Sequence, residues 1–521
     1  MVGLVALADV GELLRQLQEV PVERGRVTRG VRNETPAGGV WLGMPPRPKQ
    51  RRSAPLRWWP PRLALAPGEA VAAPEPSTGG TPAGARRLAS AARRLLKHPR
   101  LMPYHRLILA VLLINLGVLW YHLHRGDWLI DDGSALSALA ALTLVNFTAA
   151  VLMRQQNVLN VLYGLAGRGR RSWALWIQWS VSKVHHVGGI HVGGALAGTA
   201  WLCAFTCVAT VARARHPASV SVTTLVLSYC LVALAVLVVV CAAPPVRSRA
   251  HNVFEMAHRF GGWTAIGLFW ALTLHLALRQ AGDAAAVEAI ASNWHVWVLA
   301  ILTASVASPW LRLRRVPVTV ERPSSHAAIV RFDYGVTPAF ASAVGVSRSP
   351  LREWHAFATV TTPNRSGYRL LISRAGDWTG RFIDDPPSRV WVRGTPVSAP
   401  MAKVALLYER VVYVVTGSGI GPCLGQILAA RVPARLVWST RNPRATYGDD
   451  LVDEVEAAQP DAVVWDTRQR GKPDLVRLAR QAYQDFDAEA VFVVSNQPTT
   501  RRLVHELERL GIPAFGPIWD S

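Results

Sequence analysis

The chain has 521 residues, of which half are hydrophobic and only 17% charged, with a formal charge of +23. An ordinary soluble domain carries nearer a quarter charged residues, so the composition excludes a wholly soluble protein. The charge does not single out nucleic acid: residues 1–100 hold 17 Lys/Arg against 7 Asp/Glu, much of the remainder flanks apolar runs, and no basic face is paired with a recognition module.

Residues 1–100 are rich in Pro, Arg, Gly and Ala, too little apolar surface to offset chain entropy, and are predicted to be a disordered basic extension. A short helix near 2–20 is compatible with the pattern, but no apolar core followed by a small-residue cleavage site marks a secretory signal. Six apolar runs follow, at about 106–122, 135–153, 187–212, 220–243, 261–279 and 294–310. Most approach the roughly 20 residues that cross a bilayer core, which predicts a six-helix transmembrane domain over 101–315. The loops 154–172, 244–260 and 311–315 collect the arginines, among them Arg154, Arg168, Arg247, Arg259 and Arg314. By the positive-inside rule both termini are cytosolic. The five cysteines include no CxxC pair, and nothing argues for zinc or a disulfide framework.

After Arg315 the period changes. Short alternating stretches at Ala327–Phe332, His355–Val360, Tyr368–Ser373 and Val390–Arg393, separated by Pro and Gly, predict an antiparallel barrel or sandwich over 316–405. From 406 to 521 strands alternate with helices, as in a parallel α/β sheet. The strongest local motif lies there. The strand Val411–Thr416 runs into Gly417-Ser418-Gly419-Ile420-Gly421-Pro422, which opens a helix. Glycines in such a turn let backbone N–H groups approach a phosphate at a helix N-terminus. Pro422 replaces the next fingerprint glycine, and no carboxylate ends the second strand, which reads Trp438-Ser-Thr-Arg-Asn-Pro. Arg441 and Arg444 there would pair a 2′-phosphate and favour NADPH; otherwise they are solvated surface arginines.

Four histidines sit near the cytosolic ends of the apolar runs: His185, His186 and His191 at the third and His258 at the fifth. Polar groups there are costly unless functional or paired. One ligand from each of two helices holds a haem, so His186 or His191 with His258 is a candidate metal pair. The competing reading is a polar network with Glu255, Arg259 and Lys183 that clamps the helices to the soluble part. His275, 17 residues beyond His258, falls on another helical face.

Together, the His-bearing bundle, the small antiparallel domain and the Gly417 turn resemble the ferric reductase and NADPH oxidase superfamily, whose cytosolic half is ferredoxin-reductase-like. The chain is closer still to the TmpA-type integral membrane oxidoreductases. The segments that carry this are Lys183-Val-His-His-Val-Gly-Gly-Ile-His, His251-Asn-Val-Phe-Glu-Met-Ala-His, the Gly417 turn and Gly511-Ile-Pro-Ala-Phe-Gly-Pro-Ile-Trp-Asp. The resemblance implies FAD on a strand motif matched by His355 and Phe357, with Ala358 where the family has a hydroxyl and Thr359 next along the strand. It implies the flavin pyrophosphate at Arg374, Gly376, Trp378 and Thr379, with Arg374 or Arg381 neutralising its charge. Trp519 would cover the flavin ring, and Val494-Ser-Asn-Gln-Pro stands where relatives show Cys-Gly. The implied function is a membrane-bound flavin oxidoreductase taking electrons from NAD(P)H through FAD, with one b-type haem at most. Its acceptor would be a metal ion, quinone, oxygen or bound metabolite. The alternative is a non-catalytic membrane sensor or scaffold that retains the reductase-like fold.

Overall fold

Long apolar runs become long helices in the computed structural model, which describes residues 102–126, 132–281, 286–361, 366–394, 397–398 and 400–517. All of these lie in one unit, Thr81–Ser521. The extension 1–100 and Trp519 fall outside the described residues. Five helices are long and apolar enough to cross a bilayer. They are α1 (Pro103–Arg125), α2 (Asp132–Leu152), α3 (Gly188–Arg215), α4 (Val222–Ala242) and α5 (His251–Ala281). A sixth, α6 (Trp294–Ala307), qualifies only together with Ala286–Ser292, from which it bends by 67°. These helices are apolar around their circumference, so Leu113, Ile114, Leu237 and Val240 point outward.

Helix α3 is the hub. A Cβ on its Gly194 would stand 2.8 Å from the Asn146 carbonyl of α2, so glycine permits that approach. The polar residues between these helices satisfy one another. Asn115 and Asn146 exchange amide hydrogen bonds at 3.1 and 2.9 Å, and Trp201 Nε1 donates to Asn115 Oδ1 at 2.7 Å.

The segment before α3 ties the bundle to the rest. Ser182 Oγ and Tyr408 OH share a buried hydrogen bond of 2.9 Å, and Arg171 Nε donates to Leu406 O at 3.1 Å. Lys183 pairs with Glu508 and lies over the Phe515 ring at 5.3 Å, while Arg259 donates to Leu351 O at 2.8 Å. Of the three residues in the competing clamp reading, Lys183 and Arg259 reach the soluble part, while Glu255 pairs with His251 and Arg259 of its own helix.

The antiparallel part comprises β1 (Leu313–Pro317), β2 (Thr319–Glu321), β3 (Ala327–Phe332), β4 (Ser342–Ser347), β5 (His355–Ala358), β6 (Tyr368–Ser373), β7 (Arg389–Arg393) and β8 (Val397–Ser398). One sheet runs β1-β7-β4-β5 with β8 on β4, the other β2-β3-β6. A single isolated bridge from Val360 to Arg369 links them. Val330, Val346, Leu370 and Val392 fill the space between, and helix α7 (Asp377–Asp384) closes it with Trp378 and Phe382. Strands β1, β2, β4 and β8 were not predicted; β4 reads Ser-Ala-Val-Gly-Val-Ser, whose small residues blur the alternation.

The last part is a parallel sheet in the order β11-β10-β9-β12-β13, from β9 (Val411–Thr416), β10 (Ala434–Thr440), β11 (Val463–Asp466), β12 (Ala490–Val494) and β13 (Ala514–Phe515). Helices α8 (Ile420–Ala429), α9 (Asp449–Ala458), α10 (Leu475–Asp485) and α11 (Gln497–Arg509) connect and cover it. With both faces covered, β9 buries Val411 through Val415.

Candidate functional site

Three groups of predicted residues can be followed. The strand-motif group comes together. His355 on β5 stacks on Trp378 of α7 with ring centroids 4.1 Å apart, and Phe357 stacks on the same indole at 6.0 Å. Trp378 Nε1 donates to Glu353 Oε1 at 2.7 Å, which fixes the indole. His355 Nε2 is buried without a partner. Burial holds this imidazole below its usual range, only partly offset by Glu353.

The hydroxyl that Ala358 lacks is not supplied by its neighbour. Thr359 is buried and its Oγ1 donates to Ser342 O at 3.1 Å. Arg374 forks onto Asp384 and its Nε donates to Ser325 O at 2.9 Å. Arg381, exposed on α7, donates from Nε to Asp377 O at 3.3 Å and leaves its terminal nitrogens open among the described residues. Thr379 Oγ1 accepts from Ala375 N at 2.9 Å and donates to Gly376 O at 3.1 Å, shaping the start of α7.

The turn group is built where the chain reverses across the sheet. β9 leads to β10 on one side, while β12 lies on the other, so the Gly417 turn stands at the topological switch point, at the carboxyl ends of the strands. Gly417 has φ +51°, and its carbonyl accepts from Trp438 Nε1 at 3.0 Å. A Cβ on Gly419 would lie 2.3 Å from Val494 O, so only glycine lets the turn sit against β12. Ser418 and Pro422 are exposed, and Ile420 and Gly421 are buried. Helix α8 presses onto the antiparallel part: a Cβ on Gly425 would stand 2.7 Å from Thr359 O, and one on Gly421 would touch Leu371 at 3.5 Å. The turn borders the crevice at the switch point, and helix α8 behind it packs against the segment just after the His355 strand.

At its edge the two arginines part. Arg444 binds Asp449 at 3.2 Å, Asp453 at 2.7 Å and Glu456 at 2.9 Å, and has no charge to spare for a phosphate. Arg441, exposed beyond the end of β10, makes no side-chain hydrogen bond or ion pair among the described residues. The hydroxyls of Thr416 and Ser495 bond each other across the ends of β9 and β12, Ser495 lying in the segment that stands where relatives show Cys-Gly. Cys423 nearby is inert, since burial pushes its thiol up to about 12.

The bundle histidines separate as well. His191 and His258 line one cavity of about 450 Å³, their ring centroids 6.3 Å apart. A single metal held by bonds of about 2 Å to each of two imidazoles spaces the rings by roughly this much. His191 Nδ1 hydrogen-bonds Ala150 O at 2.8 Å, which leaves its Nε2 free to ligate, and His258 Nδ1 is buried without a partner. Arg154, Arg259 and Arg393 also line this cavity. Arg393 comes from β7, lies over the Trp354 ring at 4.3 Å, and burial draws it down to about 10. His186 is elsewhere: it precedes α3 in a tight turn, lies against His185 with ring centroids 4.3 Å apart, and lines a different hollow with Arg106 and Leu107. No group of three or more His, Cys, Asp or Glu among the described residues is arranged to hold a metal ion. Of the predicted histidines, His191 and His258 are the two that share a cavity.

Residues 401–521 match the family model described as adenylate-forming reductase 03009, C-terminal domain. Adenylate-forming reductases 03009 and 06235 of Coprinopsis cinerea are each 39% identical to this chain over 429 residues, 82% of the chain and 41% of their own length. The chain therefore spans less than half of the curated relatives it matches. Among solved structures it is similar to a ferredoxin NADP+ reductase from Neisseria gonorrhoeae with bound FAD and NADP, at 12% identity and TM-score 0.31 over 40% of this chain and 99% of that one. The Amycolatopsis cytochrome P450 reductase GcoB gives 13% identity and TM-score 0.30 over 40% and 71%. By the homology with the fungal reductases, the C-terminal part of this chain is reductase-like.

Proposed function

We propose that the protein is a membrane-bound flavin oxidoreductase. It would pass electrons from NAD(P)H through FAD, and through one haem b between His191 and His258, to a small acceptor. The helical bundle would lie in the bilayer with both termini cytosolic. The observation that carries this is the packing of the nucleotide-type turn against the antiparallel part. The Gly417 turn, at the switch point of a reductase-like sheet, packs through α8 onto the strand that bears His355.

The residues fit the groups in part. The unpartnered Nε2 of His355, beside Phe357 and Trp378, suits the ring end of a flavin. Arg381, rather than Arg374, would neutralise its pyrophosphate at the start of α7. The nucleotide phosphates would lie on Gly417, Ser418 and Gly419, with Arg441 at the 2′ position. In the bundle His191 and His258 would ligate iron, and Arg154, Arg259 and Arg393 would neutralise the haem carboxylates. Bound there, flavin would accept hydride and the iron would carry single electrons. The protein's own contribution is to hold the two ring sites on one rigid frame, keep His355 neutral, and exclude water from the histidine pair by Phe147 and Phe269.

A second reading, a non-catalytic scaffold on the same fold, is favoured by the commitment of Arg374 to Asp384 and of Thr359 to Ser342. An absorbance spectrum of detergent-purified protein, before and after dithionite, separates the two. Flavin bands with a sharp reduced Soret band are expected. Flavin alone would remove the haem, and a protein that stays colourless with added FAD and haem would leave the scaffold.

A further inference from the structure

A second cavity, of about 640 Å³, opens in the half of the bundle far from the sheets. Its place follows from the residue numbers on each helix. On α2 it takes Leu136 to Leu144 where the histidine cavity takes Leu144 to Val151, and on α5 it takes Phe269 to Arg279 where the other takes His258 to Phe269. The two cavities are back to back, sharing Leu144 and Phe269 as a common wall. The size is that of a small-molecule site.

One side of this cavity is apolar and partly aromatic, with Leu202, Phe205, Phe269 and Leu272. The other carries hydrogen-bonding groups, most of them already paired. Ser221 Oγ bonds His275 Nε2 at 2.8 Å and Thr224 Oγ1 at 2.9 Å, and Thr143 Oγ1 donates to Leu139 O at 2.8 Å. His295 is the exception. Asn293 Oδ1 accepts from the backbone N of His295 at 3.0 Å and from its Nδ1 at 2.9 Å. The ring proton is therefore on Nδ1, and Nε2 is a lone-pair acceptor, buried without a partner among the described residues. A buried acceptor left open calls for a donor.

We propose that this far cavity is the acceptor site of the bundle and takes the ring of a membrane-soluble quinone, bound most tightly as the hydroquinone whose O–H donates to His295 Nε2. This rests on the oxidoreductase reading for its redox role, though not for binding. The balance closes with NAD(P)H as reductant. NAD(P)H yields NAD(P)+, one proton and two electrons at the sheet end. The quinone takes those two electrons and two protons from the aqueous phase at the far end.

The test is equilibrium binding of a short-chain hydroquinone and of its dimethyl ether to the detergent-purified full chain, without nucleotide, dithionite or added cofactor. Hydroquinone should bind about tenfold more tightly than the ether, the worth of one good hydrogen bond. The His295→Phe variant should bind both alike. Ala140→Trp, which fills the cavity, should bind neither. No hydroquinone binding by the wild type, or equal binding of hydroquinone and ether, overturns the proposal. Because binding is read without electron flow, a protein lacking flavin and haem can still pass this test, and a coloured, active one can fail it.

Discussion

The reductase-like half and the helical bundle differ in which polar groups they leave open. In the sheets many side chains with chemistry to offer are engaged, Arg374 with Asp384, Arg444 with three carboxylates, Thr359 with Ser342 and Thr416 with Ser495, while His355 Nε2 and Ser347 Oγ are buried without a partner among the described residues. In the bundle, where an open polar atom costs most, His186, His258 and His295 each keep a buried nitrogen without a partner among the described residues. Native interiors seldom tolerate this, so such atoms mark places shaped for something else. The sheets hold their site mainly by backbone shape, the bundle by side chains.

The sharpest way to break that contrast is through glycine. Gly419→Val would drive a side chain into Val494 O, a backbone atom that cannot swing aside. The expected cost is about 3 kcal/mol or more of stability with loss of nucleotide binding. Gly267→Ala, on α5 with no atom within 4 Å of the new Cβ, should stay within about 1 kcal/mol of the wild type. Thermal unfolding and nucleotide binding of the two variants decide it. A Gly419→Val protein of normal stability would mean that backbone shape does not hold the crevice.

Next in size is the histidine pair. His258→Leu should abolish the reduced Soret band while NAD(P)H oxidation by a soluble dye continues, and His186→Leu should leave the band in place. Spectra of the variants check this, and a band lost in His186→Leu alone would reverse the assignment.

Much of this contrast was legible in the sequence, and unevenly so. The Gly417 turn and the strand Val411–Thr416 could be placed because strand, glycines and helix adjoin in the chain. The choice of His191 over His186 could not. It depends on the tight turn Ser182–His186 ending before α3 begins, which puts the two rings in different hollows. Helix α5 also begins ten residues before the predicted run, so His258 lies within it. The fate of Arg444 was readable in principle: Asp449, Asp453 and Glu456 are spaced to share one face of α9, just downstream. The open acceptor on His295 had no signal, since nothing in Asn-Trp-His tells that Asn293 fixes the tautomer.

The two arginines at the crevice edge sharpen the comparison within the sheets. Arg441→Gln should weaken a 2′-phosphorylated nucleotide by about 10- to 100-fold, the range of one charge-assisted contact, and leave NADH unchanged. Arg444→Gln should change neither. Titrations with both nucleotides measure it, and a selective loss in Arg444→Gln would show that its carboxylates release it on binding.

The smallest expected effect concerns protons. The His355 imidazole is held below its ordinary value of 6.5 by burial, so at neutral pH it is uncharged in the fold. The unfolded chain then binds more protons than the folded one as pH falls below 6.5, and stability declines with it. Wild-type protein should lose unfolding temperature from pH 6.5 towards 5, and His355→Phe should lose less over the same window. Added FAD that engages Nε2 should flatten the wild-type curve toward that of the variant. Parallel curves for both proteins would mean that His355 exchanges its proton freely, and would take His355 out of the set of open polar atoms that the sheets share with the bundle.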